Sequence, residues 1–182
     1  MTMRIPALML AALLVAAACT SGGLPGSTVP AAGSDPGAAW RTSPLRDSRT
    51  GETFTINDLN GKLVAIEPMA VWCSSCKIQQ LEVASALAQL SDPDIVYVSL
   101  GVDPNELDED LAAYADQLGF DWAFVVAGTE VARSLADDFG PQVLSPPSTP
   151  LIIVAPDGTV VHQSFGIHGA DDILDLFAQY RT

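Results

Sequence analysis

Basic residues are scarce in this 182-residue chain: eight Lys and Arg stand against 22 Asp and Glu, giving a net charge of −14. Nucleic-acid binding needs a clustered cationic face, and the few cations here are scattered, so no nucleic-acid partner is expected. Cysteine and histidine are scarce too, at three and two. Structural zinc takes four ligands in paired spacing. Cys73 and Cys76 would need His162 and His168, which lie far along the chain without hairpin spacing, so no metal is assigned. Long apolar runs are also missing. The N-terminal run Ile5 to Ala18 is too short to cross a bilayer as a mature helix. Five acidic residues fall between Asp103 and Asp110, but without the central Gly and terminal Glu of a calcium loop. There is no internal repeat.

What the chain does contain is the stretch Val64-Ala-Ile-Glu-Pro-Met-Ala-Val-Trp-Cys73-Ser-Ser-Cys76-Lys77. Val64 to Ile66 predicts a short buried strand. Lys77 to Leu90 repeats apolar residues at helical spacing through Ile78, Leu81, Ala84 and Leu87 or Ala88. Cys73 then falls where strand gives way to helix, among unpaired N–H groups and the positive end of the helix dipole. Both favour a thiolate, so Cys73 is expected to be the nucleophile and Cys76, one turn inside, its resolving partner.

Trp72-Cys-x-x-Cys-Lys77 after an apolar strand resembles the active site of the thioredoxin superfamily. Asn60-Gly-Lys-Leu-Val64 is similar to its extracytoplasmic TlpA/ResA branch. The resemblance runs from about Trp40 to the C-terminus. It implies an α/β thioredoxin-like domain over residues 40–182, with a central mixed sheet flanked by helices, an N-terminal hairpin and a helix-containing insertion between Asp103 and Phe139. Turn signals at Ser43-Pro44 and Thr50-Gly51, and alternation from Glu52 to Ile56, fit the hairpin. Asp103, Pro104 and Glu106 read as a helix start ending near Leu118, with Gly119 as the C-cap. Strands are expected over Ile95–Leu100, Trp122–Val126, Leu151–Ala155 and Thr159–Gln163, and helices over Thr129–Phe139 and Ala170–Tyr180.

The resemblance also assigns site residues. Glu67, six positions before Cys73, stands where thioredoxin carries a buried aspartate. Burial should raise its pKa towards neutrality and let it take the proton of Cys76 through a water. The alternative is an exposed glutamate paired with Lys62 or Lys77. Pro68 removes a ladder donor, so the strand is either bulged there or loses pairing early. Thr149-Pro150 resembles the family's cis-proline, whose preceding backbone pairs with the substrate chain; the alternative is an ordinary trans proline opening a strand. Trp72 either shields the sulfur, packs on a partner or belongs to the core. Ser74-Ser75, lacking the proline common at the second position, offers hydroxyls to a sulfur.

Val15-Ala16-Ala17-Ala18-Cys19 resembles a bacterial lipobox, which makes residues 1–19 a lipoprotein signal and Cys19 the lipid-bearing residue; the alternative is plain Ala-x-Ala cleavage. Residues 20–39, rich in Gly, Pro, Ser and Ala, read as a flexible tether with a reach of about 25 Å. The implied protein is extracytoplasmic and lipid-anchored to the bacterial cell membrane. It would be a thiol–disulfide oxidoreductase needing no cofactor beyond the redox-active Cys73–Cys76 disulfide. Client proteins with cysteines or disulfides, such as apocytochromes or copper-site proteins, would be its substrates, and a CcdA/DsbD-type membrane protein its reductant. The alternatives are an oxidase running the same exchange backwards and an SCO-like copper-delivery protein. SCO proteins carry Cys-x-x-x-Cys with a distal His, a longer spacing than here. A peroxidase would need a Thr-x-x-Cys context that is absent.

Overall fold

The computed structural model describes residues 35–181. The signal segment, Cys19 and the tether to residue 34 lie outside them. Contacts to the domain begin before Trp40, where the resemblance starts. The Pro36 carbonyl accepts the Asn57 side-chain amide, and a one-turn helix, α1 (Ala39–Thr42), buries Trp40 against Phe139.

The expected hairpin is present as β1 (Leu45–Arg46) paired antiparallel with β2 (Thr53–Phe54). Then follow β3 (Leu63–Met69), α2 (Ser74–Leu90), β4 (Ile95–Gly101), α3 (Asp108–Leu118), β5 (Ala123–Val126), α4 (Thr129–Phe139), β6 (Leu151–Val154), β7 (Val160–Ser164) and α5 (Ala170–Tyr180). The five-stranded sheet runs β5-β4-β3-β6-β7. β3, β4 and β5 pair in parallel, whereas β6 and β7 are antiparallel. This is the mixed sheet flanked by helices that the sequence implied.

Period-two alternation sorts β3 between two cores. Leu63, Ala65 and Met69 face a layer shared with both cysteines, Val83, Leu111, Ile173 and Phe177. Val64 and Ile66 face Trp40, Val131, Leu135 and Phe139. Helices α2, α3 and α5 cover the first face; α1 and α4 cover the second. The ladder from β3 to β6 stops at Ile66, while that to β4 continues to Met69. Pro68 therefore sits where one flank of the strand has already lost pairing, which is where a residue without an N–H is tolerated.

Two expectations fail. Helix α3 begins at Asp108, not beside Asp103, because the Glu106 side chain turns inward and cannot cap. Asp110 takes that part by accepting the Leu107 N–H at 3.2 Å. The helix still ends at Gly119, in the left-handed conformation (φ 72°) that glycine adopts without penalty. In α2, Ile78 and Leu81 are exposed, whereas Gln79 and Gln80 are buried with Cys76, Val83 and Ala86.

Candidate functional site

Cys73 and Cys76 form a disulfide at the mouth of α2, with Cα atoms 5.3 Å apart. Cys73 is the N-cap residue, and its Sγ accepts the Cys76 N–H at 3.1 Å. The Ser75 hydroxyl lies 3.3 Å from the same sulfur, so the serine standing in for the usual proline supplies the contact its hydroxyl allowed. Cys76 Sγ instead faces an acceptor, the Pro146 carbonyl oxygen, 3.2 Å away. In the dithiol, the helix-mouth amide would favour thiolate at Cys73, while a carbonyl would keep the proton on Cys76. The asymmetry matches the expected nucleophile and resolving roles. Cys73 is 2% exposed and Cys76 wholly buried.

The carbonyl comes from the proline-rich loop after α4. Pro146–Ser148 forms a single 3₁₀ turn, closed by the Thr149 N–H on the Pro146 carbonyl (2.8 Å), and the Ser75 hydroxyl reaches the Pro147 carbonyl at 3.3 Å. No cis peptide bond occurs among the described residues, so Thr149-Pro150 is trans. Thr149 itself makes the reversal, at φ 44° and ψ 66°, and Gly166 ties down the Ser148 carbonyl at 2.8 Å. The chain thus turns into β6 without a cis bond. A left-handed β-branched residue is a genuine outlier, of the kind that collects at functional loops. Thr149 is 2% exposed with its N–H already engaged; the carbonyls of Pro146 and Pro147 are what meet the Cys-Ser-Ser-Cys segment.

Glu67 is fully buried, which rules out the exposed glutamate paired with Lys62 or Lys77; the Lys62 ammonium bonds the Pro93 carbonyl instead. It lies on the same face of β3 as Ala65 and Met69 and opposite Ser99 in register. The Tyr97 hydroxyl donates to Oε2 at 2.8 Å, and Oε1 has no hydrogen-bond partner among the described residues. Burial pushes the carboxyl up to about 8, against the downward pull of Tyr97 and the nearby Gln80 amide. Gln80 follows Cys76 by one turn on the same face of α2, so Glu67 lies under the face that carries the resolving sulfur.

Sequence reasoning missed the polar inlay around this carboxyl. Gln80 Oε1 accepts the Tyr114 hydroxyl at 2.7 Å, and its Nε2 meets Ser99 Oγ at 3.4 Å; Ser99 also accepts the Trp122 indole at 3.0 Å. The available signal was spacing: Gln79 and Gln80 stand three and four residues after Cys76, the positions of its helical neighbours. Trp72 is not core. It is 59% exposed, and its indole donates to Asp103 Oδ2 at 2.6 Å. His162 and His168 are tied to each other through Ser164 Oγ, at 2.9 and 2.7 Å. Among the described residues no three His, Cys, Asp or Glu side chains form a cluster able to hold a metal, and no helix is long and apolar enough to cross a membrane.

Comparison with known proteins places this architecture. No family model matches the sequence, and neither does any curated protein. Solved structures do match. A SCO1/SenC family lipoprotein from Bacillus anthracis is 20% identical, with TM-score 0.62, over 76% of this chain and 92% of its own. A thiol:disulfide interchange protein of the thioredoxin family from Chlorobium tepidum is 16% identical, with TM-score 0.59, over 75% and 93%. The thioredoxin domain of a thiol-disulfide oxidoreductase from Bacteroides vulgatus is 17% identical, with TM-score 0.59, over 76% and 92%. The chain therefore has the thioredoxin-like fold, with a Cys-x-x-Cys disulfide at the start of its first long helix.

Proposed function

We propose that this protein is a thiol–disulfide oxidoreductase acting outside the cytoplasm and held to the membrane through a lipid on Cys19. The observation that carries the reading is the unequal setting of the two sulfurs. Cys73 is met by the Cys76 amide and the Ser75 hydroxyl, and Cys76 by the Pro146 carbonyl. In the reduced protein the Cys73 thiolate attacks one sulfur of a client disulfide, forming a mixed disulfide and releasing the other client sulfur as thiolate. Cys76 then gives up its proton, with Glu67 as acceptor through a water, and attacks the Cys73 sulfur. The Cys73–Cys76 disulfide forms, the second client thiolate leaves, and two electrons have passed to the client. A membrane thiol reductant of CcdA/DsbD type returns them.

The TlpA/ResA resemblance points to reduction of client cysteines in apocytochromes or copper-site proteins. Likeness to thiol:disulfide interchange and lipoprotein structures supports the chemistry and the location. Trp72 is the proposed client-contact residue, because its indole stands exposed beside the nucleophile, whereas Thr149 and Pro150, given that role by the resemblance, are buried. Reduction of insulin disulfides by the wild type, abolished in Cys73→Ser, is the expected result. The SCO neighbour defines the competing outcome. No insulin reduction, together with stoichiometric Cu(I) binding lost in His162→Ala or His168→Ala, would replace the oxidoreductase reading with copper delivery.

A further inference from the structure

A second buried carboxylate lies against the other side of the nucleophile's turn. β4 closes on β3 through the Val102 N–H, which donates to the Met69 carbonyl at 2.9 Å. The chain then doubles back, with the Asn105 N–H on Asp103 Oδ1 (2.9 Å) and the Glu106 N–H on the Asp103 carbonyl (3.1 Å). This brings two acids onto Ala70–Trp72, the last link before Cys73. Asp103 takes the Trp72 indole, and Glu106 Oε1 takes the Val71 N–H. Glu106 is only 7% exposed, and its Oε2 is buried without a hydrogen-bond partner among the described residues. That oxygen lies against Gly101, where an added Cβ would come within 2.6 Å of it. A glutamine could accept the same amide without burying a charge, so the hydrogen bond alone does not explain a carboxylate here.

We propose that Glu106 is a positioning residue for exchange at Cys73: it fixes the turn that presents the sulfur, and its negative charge behind that turn opposes the Cys73 thiolate, holding the couple towards the disulfide. The proposal rests on the thiol–disulfide reading above. The charged groups acting on Glu106 are Asp103 from its own turn and Asp110 from the first turn of α3, and Glu106 acts in turn on the Tyr114 hydroxyl further along α3. Burial and the two aspartates lift its carboxyl to about 7, so the charge is withdrawn on mild acidification. A thiolate opposed by a negative charge makes the reduced form less stable, so ionised Glu106 lowers the reduction potential and protonated Glu106 raises it.

The test measures, on the full-length protein, the Cys73 thiol pKa from alkylation rate against pH and the exchange constant with glutathione at pH 6 and pH 8. At pH 8, Glu106→Gln should lower the thiol pKa by about half a unit and shift the exchange constant about threefold towards the dithiol. At pH 6 the two proteins should nearly coincide. Equality at pH 8 overturns the proposal. Should Glu106→Gln fail to fold, Asp103→Asn serves: it removes a charge that lifts Glu106, so the pH at which the potential bends must move down, and an unmoved bend overturns the proposal. Thiol acidity and the glutathione equilibrium need no protein client. A wild type that follows them yet reduces no insulin disulfide fails the functional reading alone.

Discussion

Replacing Glu67 by glutamine separates the carboxyl's charge from its shape. The native protein keeps this proton up to about pH 8, while an ordinary carboxyl, as in the unfolded chain, releases it near 4.5. Between those values the unfolded state binds fewer protons, so stability falls as pH rises, being full below about 4.5 and lost above about 8. At ~1.4 kcal/mol per pH unit, the whole loss is about 5 kcal/mol. Glutamine has no proton to lose and still offers an oxygen to the Tyr97 hydroxyl. The variant and wild type should therefore unfold together near pH 4.5 and diverge by pH 9, with glutamine the more stable. For a domain of this size, that divergence amounts to a urea midpoint separation of about 2 M. The measurement is equilibrium urea unfolding of the oxidised proteins, without reductant, at both pH values. Contributions common to both proteins, Glu106 included, cancel in the comparison. A separation that is the same at pH 4.5 and pH 9 would show that the native carboxyl is already ionised, and would refute the buried-acid argument.

Cys76→Ser should accumulate a mixed disulfide between Cys73 and a client peptide, whereas Cys73→Ser should form none; non-reducing mass spectrometry distinguishes them. Glu67→Gln should slow resolution of the mixed disulfide near pH 7 by about a hundredfold, and an unchanged rate in stopped flow would remove Glu67 from the chemistry. Reduction of the Cys73–Cys76 disulfide should destabilise the domain by about 2 kcal/mol, the loop-closure value for so short a ring, read as a lower thermal midpoint with reductant present. Gln80→Met strands the Tyr114 hydroxyl and takes one of two donors from Ser99, with an expected loss of about 1–3 kcal/mol in urea unfolding. It should also move the pH range of the Glu67-linked instability upward, because the amide pulls that carboxyl down.

The order of strands and helices was legible because β4, β6 and the helices α4 and α5 announce themselves by apolar runs and 3.6-residue periodicity, with Gly119 as punctuation. Both sulfurs and Glu67 were legible as well, since the strand-to-helix junction dictates where residues 67, 73 and 76 fall. Helix α2 is half legible from its apolar spacing, since Ala84 and Leu87 of that stripe pack on the core but Ile78 and Leu81 do not. Gln79 and Gln80 go inside to serve a buried carboxyl and the loop at His168, while Ile78 and Leu81 face out. The Thr149-Pro150 bond was misjudged because its geometry depends on hydrogen bonds to Pro146 and from Gly166, which no local pattern specifies. Glu106 reads as a helix cap in the sequence because its partner, the Val71 amide, is 35 residues away.

The exposed indole beside Cys73 carries an optical consequence. Disulfides quench the emission of an adjacent tryptophan, and Trp72 precedes one half of this disulfide while the indoles of Trp40 and Trp122 are sunk in the two cores. Opening the disulfide should brighten a red-shifted, water-exposed band over a constant blue-shifted background, so the protein carries its own fluorescent gauge of oxidation state.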